Sequence, residues 1–175
     1  MISRPARHGY TLVEILVVVL LLGIAAMAAQ AAYMNRAPLE VESAARVLRG
    51  HLQFARDRAA GRGEPHYLVV GENSVGVATL AGSGFAYVQT PFTPDDMILH
   101  LGNGDDTQHR DVFLTATDFD GRSVFGFDAD GIPTGYGTSG GGGAMLMEEA
   151  TFTLDCRGNH FVVAVSPIAG HVTLR

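Results

Sequence analysis

The stretch YTLVEILVVVLLLGIAAMAA, residues 10–29, decides how the rest of the chain is interpreted. Its only charged residue is Glu14, and the fifteen residues from Ile15 to Ala29 carry no charge and no side-chain amide. A helix rises 1.5 Å per residue, so twenty residues span roughly 30 Å, the thickness of a bilayer's hydrocarbon core. The stretch therefore predicts a transmembrane helix.

The flanking charges predict how this helix is oriented. Residues 1–9 contain Arg4, Arg7 and His8 and no acid. Cytoplasmic flanks of membrane helices are enriched in Lys and Arg. We therefore expect the N-terminus in the cytoplasm and the chain after about Ala32 on the other side of the membrane.

An ordinary secretory signal peptide is the competing interpretation. Its apolar core would be about 7–15 residues long and would end at a small-x-small cleavage site. Both 26–28 (AMA) and 29–31 (AQA) fit that pattern loosely. Against it stands Glu14, because a carboxylate at the centre of a membrane helix costs roughly 2.5–3.5 kcal/mol, which only a functional segment has reason to carry. From the residues alone, both interpretations stay open.

The sequence RHGYTLVE, residues 7–14, resembles the cleavage and methylation motif of type IV pilins and type II secretion pseudopilins. The shared pattern is a basic leader, Gly, an aromatic residue, Thr-Leu, an aliphatic residue, Glu and a long apolar helix. The resemblance implies that a prepilin peptidase cuts between Gly9 and Tyr10 and methylates the new amine of Tyr10. Tyr10 stands where Phe is commoner, a departure that keeps the aromatic ring.

The same resemblance gives Glu14 an assembly role. In filaments of this family, the matching Glu is thought to meet the N-terminal ammonium of a neighbouring subunit. Opposite charges gain more from pairing in hydrocarbon than in water. An unpaired charge there is penalised, so the pair would also select the axial register of the subunits. The alternative for Glu14 is a side chain that snorkels to the headgroups near the helix end.

After the membrane segment, apolar residues recur at spacings of three and four, which predicts an amphipathic helix. Pro38 either starts this helix or kinks a longer one, and Gly61 and Gly63 are expected to end it. The predicted apolar stripe consists of Val41, Ala45, Leu48, Leu52, Ala55 and Ala59. The arginines off the stripe indicate either a nucleic-acid surface or, as we favour, a solvated helix face: Arg46, Arg49, Arg56, Arg58 and Arg62.

From Pro65 onward the pattern changes to short β-prone runs separated by Gly, Asn and Asp turns. Such a pattern predicts a β-sandwich or a pair of sheets wrapped on the amphipathic helix, with no second domain boundary. The fold class is therefore α+β, a long N-terminal helix followed by an all-β head of two antiparallel sheets. Around eight to ten short strands are predicted, from β-prone runs at 67–70, 75–80, 85–89, 97–101, 112–116, 123–127, 145–148, 151–155, 161–166 and 171–174.

This layout resembles the H-type minor pseudopilins (GspH) and FimT-type minor pilins. The head carries the likeness in the aromatic strand and turn at 124–131 (VFGFDADG) and in a closing hairpin at 161–172. The expected organisation is a leader at 1–9, a transmembrane helix at 10–32, its periplasmic continuation at 33–63 and a periplasmic head at 64–175.

Composition excludes several other functions. The charge of −6, from 18 acids and 12 bases, excludes a wholly basic nucleic-acid-binding surface. All twelve bases are Arg, so lysine chemistry is unavailable, and the single Cys156, expected to be a buried small apolar residue, cannot form an intramolecular disulfide.

No catalytic constellation is evident, and we expect neither enzyme activity nor a cofactor. Two D-x-D-G segments, 118–121 and 128–131, suggest calcium. However, the twelfth position of an EF-hand loop would be Ala129 or Ser139 instead of Glu, and hairpin turns explain the Asp-Gly pairs. We therefore expect no metal site.

Three function classes follow. The favoured one is a minor pseudopilin of a type II secretion pseudopilus, anchored in the inner membrane and partnered by other pseudopilins and the prepilin peptidase. The second is a FimT-like minor pilin that binds DNA; beyond Pro65, four Arg against thirteen acids disfavour this, although the acid-free segment 157–175 leaves a small contact surface. The third is a secreted enzyme with a cleaved signal.

Overall fold

The computed structural model describes residues 11–34, 36–82, 84–102, 109–137 and 142–175. The predicted leader, with Gly9 and Tyr10, lies outside the described residues, as does the first half of the glycine loop at 140–143. The chain divides into two compact units, Met1–Arg36 and Ala37–Arg175.

The first unit contains one helix, α1, which runs from Leu12 to Met34. Its 23 residues correspond to about 34 Å of helix. From Thr11 to Gln30 every side chain is exposed. The helix is apolar on all sides, so it has no polar face that would prefer water.

The second unit begins with helix α2, which runs from Ala37 to Arg62. Pro38 lies in its first turn, where the missing N–H leaves no helical hydrogen bond unmade. Gly63, at a φ of 66°, ends the helix and donates its N–H to the carbonyl of Ala59 over 2.9 Å. Gly61 still belongs to the helix, so only the second of the two expected glycines terminates it. The predicted stripe is confirmed, and the buried residues are Ala37, Val41, Ala44, Ala45, Leu48, Leu52, Ala55 and Ala59.

Eleven strands follow among the described residues, and every strand pair is antiparallel. The larger sheet has the order β3-β2-β1-β6-β7-β8, with β4 also paired to β2, and the smaller sheet has the order β11-β10-β9-β5. The strands are β1 His66–Val70, β2 Ser74–Ala81, β3 Gly84–Tyr87, β4 Ile98–His100, β5 Phe113–Asp118, β6 Val124–Phe127, β7 Pro133–Tyr136, β8 Ala144–Met145, β9 Ala150–Cys156, β10 Asn159–Val165 and β11 Val172–Leu174.

Both sheets pack on α2. The helix contacts β1, β2 and β6 of the larger sheet and β9, β10 and β11 of the smaller one. Where the sheets meet, the ring of Phe125 on β6 lies edge-on to that of Phe152 on β9, with centroids 5.8 Å apart. The expected head of two sheets wrapped on a helix is therefore what the structure has.

Strand β7 is the element that the sequence pattern missed. Its residues, PTGY, include Pro and Gly, which are both depleted in strands, yet all four residues are buried. Pairing with β6 on one side and β8 on the other holds the segment in the sheet. The predicted strand at 145–148 is shorter than expected, since β8 covers only Ala144–Met145.

The two Asp-Gly turns have different roles. Residues 128–131 do lie in a hairpin, between the paired strands β6 and β7. Residues 118–121 do not, because β5 and β6 belong to different sheets. That second turn carries the chain from one sheet to the other, and Asp120 and Gly121 both adopt positive φ there. The prediction of a hairpin at 118–121 was wrong, since Asp-Gly also serves other reversals that need a left-handed conformation.

Candidate functional site

Helix α1 starts with a side-chain cap. The N–H of Glu14 donates to the Thr11 hydroxyl oxygen over 3.2 Å and to the Thr11 carbonyl over 3.0 Å. Thr11 is thus the N-cap residue, and Glu14 is the third helical residue. The carboxylate of Glu14 lies in the first turn, where the partial positive charge of the helix N-terminus favours an anion.

The surface around Glu14 is apolar. Glu14 borders a shallow groove on one side of α1 together with Ile15, Val18 and Val19. Leu12–Gln30 is long and apolar enough to cross a membrane, by length and composition alone. The arrangement places one carboxylate at the end of a smooth aliphatic surface, which suits a contact with another apolar helix that carries a positive charge at the same level.

Thr11 is a residue of the candidate site that sequence reasoning overlooked. The spacing Thr11-x-x-Glu14 before an apolar run is the signature of a capping box, and the pattern was readable without coordinates. The cap fixes where the helix begins, so it also fixes the height of Glu14 along the helix axis. Of the predicted processing and assembly residues, Glu14 is the one within the described part of the chain.

Three of the four carboxylates in the D-x-D-G turns accept backbone N–H groups. Asp128 Oδ1 accepts N–H groups from Asp130 at 3.0 Å and Ile132 at 2.8 Å. Asp118 Oδ1 accepts from the N–H of Asp120 at 3.1 Å, and Asp120 Oδ2 accepts from that of Met147 at 3.0 Å. Among the described residues, no group of three or more His, Cys, Asp or Glu side chains could hold a metal ion. These carboxylates therefore have a structural use.

The potentially reactive groups of the head are partly or fully buried. Burial lowers the pKa of His51, His66 and His109. Burial, helped by the nearby Glu40 carboxylate, raises the pKa of the Cys156 thiol. A thiol with a raised pKa is a poor nucleophile. Cys156 is fully buried, as expected for a small core residue.

The acid-free closing segment gains acids from elsewhere in the fold. Arg157 Nη2 lies 2.6 Å from Asp111 Oδ2, and Arg175 Nη2 lies 2.8 Å from Glu149 Oε1. These are exposed pairs of small energetic value. They nevertheless place a negative charge beside each terminal arginine, which weakens the attraction of a polyanion to this surface.

Comparison with known proteins points to the N-terminus. A family model described as the prokaryotic N-terminal methylation motif matches residues 4–29. No match to a curated protein was found. Among solved structures, the type IV minor pilin FimU of Pseudomonas aeruginosa strain PAO1 is similar, at 19% identity and a TM-score of 0.49, over 78% of this chain and 88% of that chain.

The match to the methylation motif covers residues 4–29, which include most of the apolar helix α1, and the head consists of two antiparallel sheets. The chain thus carries the N-terminal methylation motif over most of α1, a helix that is long and apolar enough to cross a membrane by length and composition alone. The motif-bearing segment that contains Thr11 and Glu14 is its candidate functional site.

Proposed function

We propose that the chain is a minor pseudopilin of the H type, a structural subunit of the type II secretion pseudopilus that helps to export folded proteins across the outer membrane. The observation that carries the proposal is Glu14, one charged residue held in the first turn of an otherwise apolar α1. A cleaved signal has no use for that charge. A subunit that pairs it with a neighbour does.

Maturation precedes assembly in this proposal. The prepilin peptidase cuts between Gly9 and Tyr10 on the cytoplasmic side of the inner membrane and methylates the amine of Tyr10. The leader at 1–9 is lost, the segment at 10–32 spans the membrane, and the parts at 33–63 and 64–175 lie in the periplasm. The packing of α2 against both sheets supports a periplasmic unit that includes this helix with the head.

Assembly then uses the new N-terminus. The methylated ammonium at Tyr10 of one subunit meets Glu14 of its neighbour inside the filament core. In a low-dielectric surrounding this attraction is much stronger than in water. A subunit displaced along the axis would leave both charges unpaired, so the pair sets the register as well as the affinity. The aliphatic surface of Ile15, Val18 and Val19 packs beside it.

The first test concerns processing. We expect the mature protein to begin at Tyr10 with a methylated amine, as read by N-terminal sequencing and intact mass. In Gly9→Asp the leader should stay attached, because a carboxylate replaces the small residue before the cleaved bond. A mature N-terminus near Ala31 would instead support an ordinary secretory signal, and a normal mature mass in Gly9→Asp would contradict the proposed cleavage.

The second test concerns assembly. Glu14→Ala should still insert in the membrane, with better hydropathy than the wild type, but we expect its incorporation into filaments to fall at least about tenfold because the charge pair is lost. Glu14→Gln is the matched variant, which keeps the shape and removes the charge, and it should behave like Glu14→Ala. The readout is the ratio of subunit in sheared filaments to subunit in membranes. Normal assembly of either variant would refute the charge-pair mechanism.

A FimT-like minor pilin that binds DNA is the alternative function. It would use the acid-free segment at 157–175, and the ion pairs of Arg157 and Arg175 disfavour it. The two functions differ in phenotype. Deletion should abolish secretion of folded proteins if the pseudopilin proposal holds, whereas loss of twitching or of DNA uptake with normal secretion would favour the pilus.

A further inference from the structure

The edge of the larger sheet is interrupted by a projecting hairpin. Strands β3 and β4 both pair with β2, β3 opposite 78–81 and β4 opposite 74–76. Between them, Val88 donates its N–H to the Val77 carbonyl over 2.8 Å, and Val77 donates its own to the Met97 carbonyl over 3.0 Å. The chain therefore leaves the sheet edge after Val88 and returns to it at Met97. We call residues 89–96 the edge hairpin.

Local hydrogen bonds define the shape of the edge hairpin. At its base, Gln89 and Asp96 form an antiparallel bridge, and the N–H of Thr90 donates to the Asp95 carbonyl over 2.9 Å. At its tip, the Thr90 hydroxyl donates to the Thr93 carbonyl over 2.9 Å. Two prolines, Pro91 and Pro94, restrict the backbone in between. Hydrogen bonds within the hairpin itself therefore hold the tip in shape.

Phe92 stands at this tip with 96% of its surface exposed, more than any other large apolar residue among the described ones. A single exposed apolar residue is ordinary on a protein surface. Here, however, an aromatic ring is presented by a locally braced turn instead of a loose loop. Aromatic residues are enriched at protein interfaces, and preorganisation lowers the entropy lost on binding. These are the properties of an interface anchor.

The charges beside Phe92 restrict what it can bind. Asp95 and Asp96 are both exposed at the returning arm of the edge hairpin. Neither belongs to any of the ion pairs found in the described part of the chain. Two acids in the same short hairpin as Phe92 repel nucleic acid and the surface of an anionic membrane. They attract a protein surface that carries Arg or Lys.

We propose that the edge hairpin is a docking element for a protein partner. The Phe92 ring enters an apolar pocket of that partner, and Asp95 and Asp96 meet Arg or Lys side chains at the rim of the pocket. The inference does not rest on Glu14 or on the kind of filament that the chain joins. It concerns the head alone, and it can fail while the proposed assembly function holds.

The experiment places the photoreactive residue p-benzoylphenylalanine at position 92 of the full-length chain in its native cells. The matched control is position 168, where Ile168 is 79% exposed beside Pro167, in a closing segment that contains no acid. We expect one discrete protein adduct from position 92 and at least about tenfold less of it from position 168. The cross-linked peptide, identified by mass spectrometry, should lie beside Arg or Lys residues of the partner.

A charge reversal completes the test. With the probe still at position 92, Asp95→Arg combined with Asp96→Arg should reduce the adduct about tenfold or more, because like charges would then face each other at the rim. Asp95→Asn combined with Asp96→Asn should give an intermediate yield. Since all these positions are exposed, the melting temperature of the head should stay within a few degrees of the wild type, which separates lost docking from lost folding.

Several outcomes would overturn the proposal. Adducts only with lipid, with nucleic acid or with a second copy of this chain would identify a different occupant. Equal yields from positions 92 and 168, or an undiminished adduct in the Arg variant, would show that the hairpin does not select a partner by its charge. Absence of any discrete adduct would contradict docking, and the hairpin would then serve only to block strand pairing at the sheet edge.

Discussion

Helices α1 and α2 are similar in length, with 23 and 26 residues, but they use their apolar residues in opposite ways. In α1 the most apolar segment of the chain is exposed over its whole described surface. In α2 a narrow stripe is buried by two sheets, and the charged residues lie mostly outside it. Hydrophobicity therefore does not by itself tell whether a helix belongs to the core of its own chain.

The side chains of the two helices explain the difference. Leu, Val and Ile surround α1, which leaves no polar side to face water if the helix were packed into the head. The buried stripe of α2 consists largely of Ala with a few Leu and Val, and these small residues let both sheets approach the helix closely. In our proposal, lipid and the helices of neighbouring subunits cover α1.

The largest effect is expected from a matched pair of leucine truncations. Leu52 is fully buried in α2, whereas Leu20 in α1 is 59% exposed. Leu52→Ala should lower the free energy of unfolding of the head by about 2–5 kcal/mol, because it removes buried methyl groups and leaves a cavity. Leu20→Ala should leave that free energy unchanged. Urea unfolding of full-length protein in detergent, followed by near-UV circular dichroism, measures both.

Equal losses in the two leucine variants would break the comparison, since they would mean that α1 contributes to the folded head. A loss below about 1 kcal/mol in Leu52→Ala would show that the stripe is less tightly covered than its burial indicates.

Two glycine substitutions should change the stability of the head by smaller amounts and in opposite directions. A Cβ added at Gly126 on β6 would lie 2.5 Å from the His66 carbonyl oxygen of the neighbouring strand, so Gly126→Ala should destabilise the head by about 1–3 kcal/mol. At Gly50, on the exposed side of α2, a Cβ meets nothing within 4 Å. Gly50→Ala should stabilise by about 0.5–1 kcal/mol, because it reduces the backbone entropy of the unfolded chain.

Melting temperatures of the two glycine variants, measured side by side, check this prediction. Shifts of the same sign would contradict the assignment of Gly126 to a crowded sheet and Gly50 to an open helix face.

The smallest expected effect is a change of the melting temperature with pH. It concerns the head and not α1, because α1 contains no His. His66 is buried; its Nδ1 lies 2.9 Å from the Glu64 carbonyl oxygen, and its Nε2 has no partner within the described structure. Burial, reinforced by Arg58 and Arg62, lowers the pKa of His66 below its ordinary value of 6.5. The unfolded chain thus takes up the proton first. The contribution of neutral His66 to the free energy of unfolding is fully present above about pH 6.5. It is lost as the pH falls from there toward the pKa of His66 in the folded state.

The measurement is the melting temperature of the head at several values between about pH 7.5 and pH 5. His66→Gln should flatten part of the acid-side decline, whereas His100→Gln, at an exposed strand position, should reproduce the wild-type curve. A decline that is unchanged in His66→Gln would assign the pH dependence to other groups.

Prediction succeeded where local pattern and burial agree. The apolar run predicted α1, the spacing of three and four predicted the buried face of α2, and alternating residues separated by turns predicted around eight to ten short strands. It failed where a neighbour overrides the local preference. Pro133 and Gly135 argue against a strand, but β6 and β8 supply the hydrogen bonds that keep them in one. The Asp-Gly pair at 120–121 looked like a hairpin because the sequence does not say which sheet receives the next strand.

The functional features also differ in whether the sequence could predict them. Glu14 and its cap Thr11 were readable from residues 11–14, because a capping box and a charge within an apolar run are local features. The edge hairpin was not readable, because TPFTPDD has no pattern that distinguishes a braced projection from an ordinary loop.

The sequence by itself determined the apolar helix, its single acid and the amphipathic stripe, because these depend on residues within a few positions of one another. Only the tertiary structure decided which strands share a sheet, which acids lie beside Arg157 and Arg175, and where Phe92 projects. Those contacts join residues far apart in the chain. Their free energy depends on how all the elements pack together, and no short window of sequence contains that information.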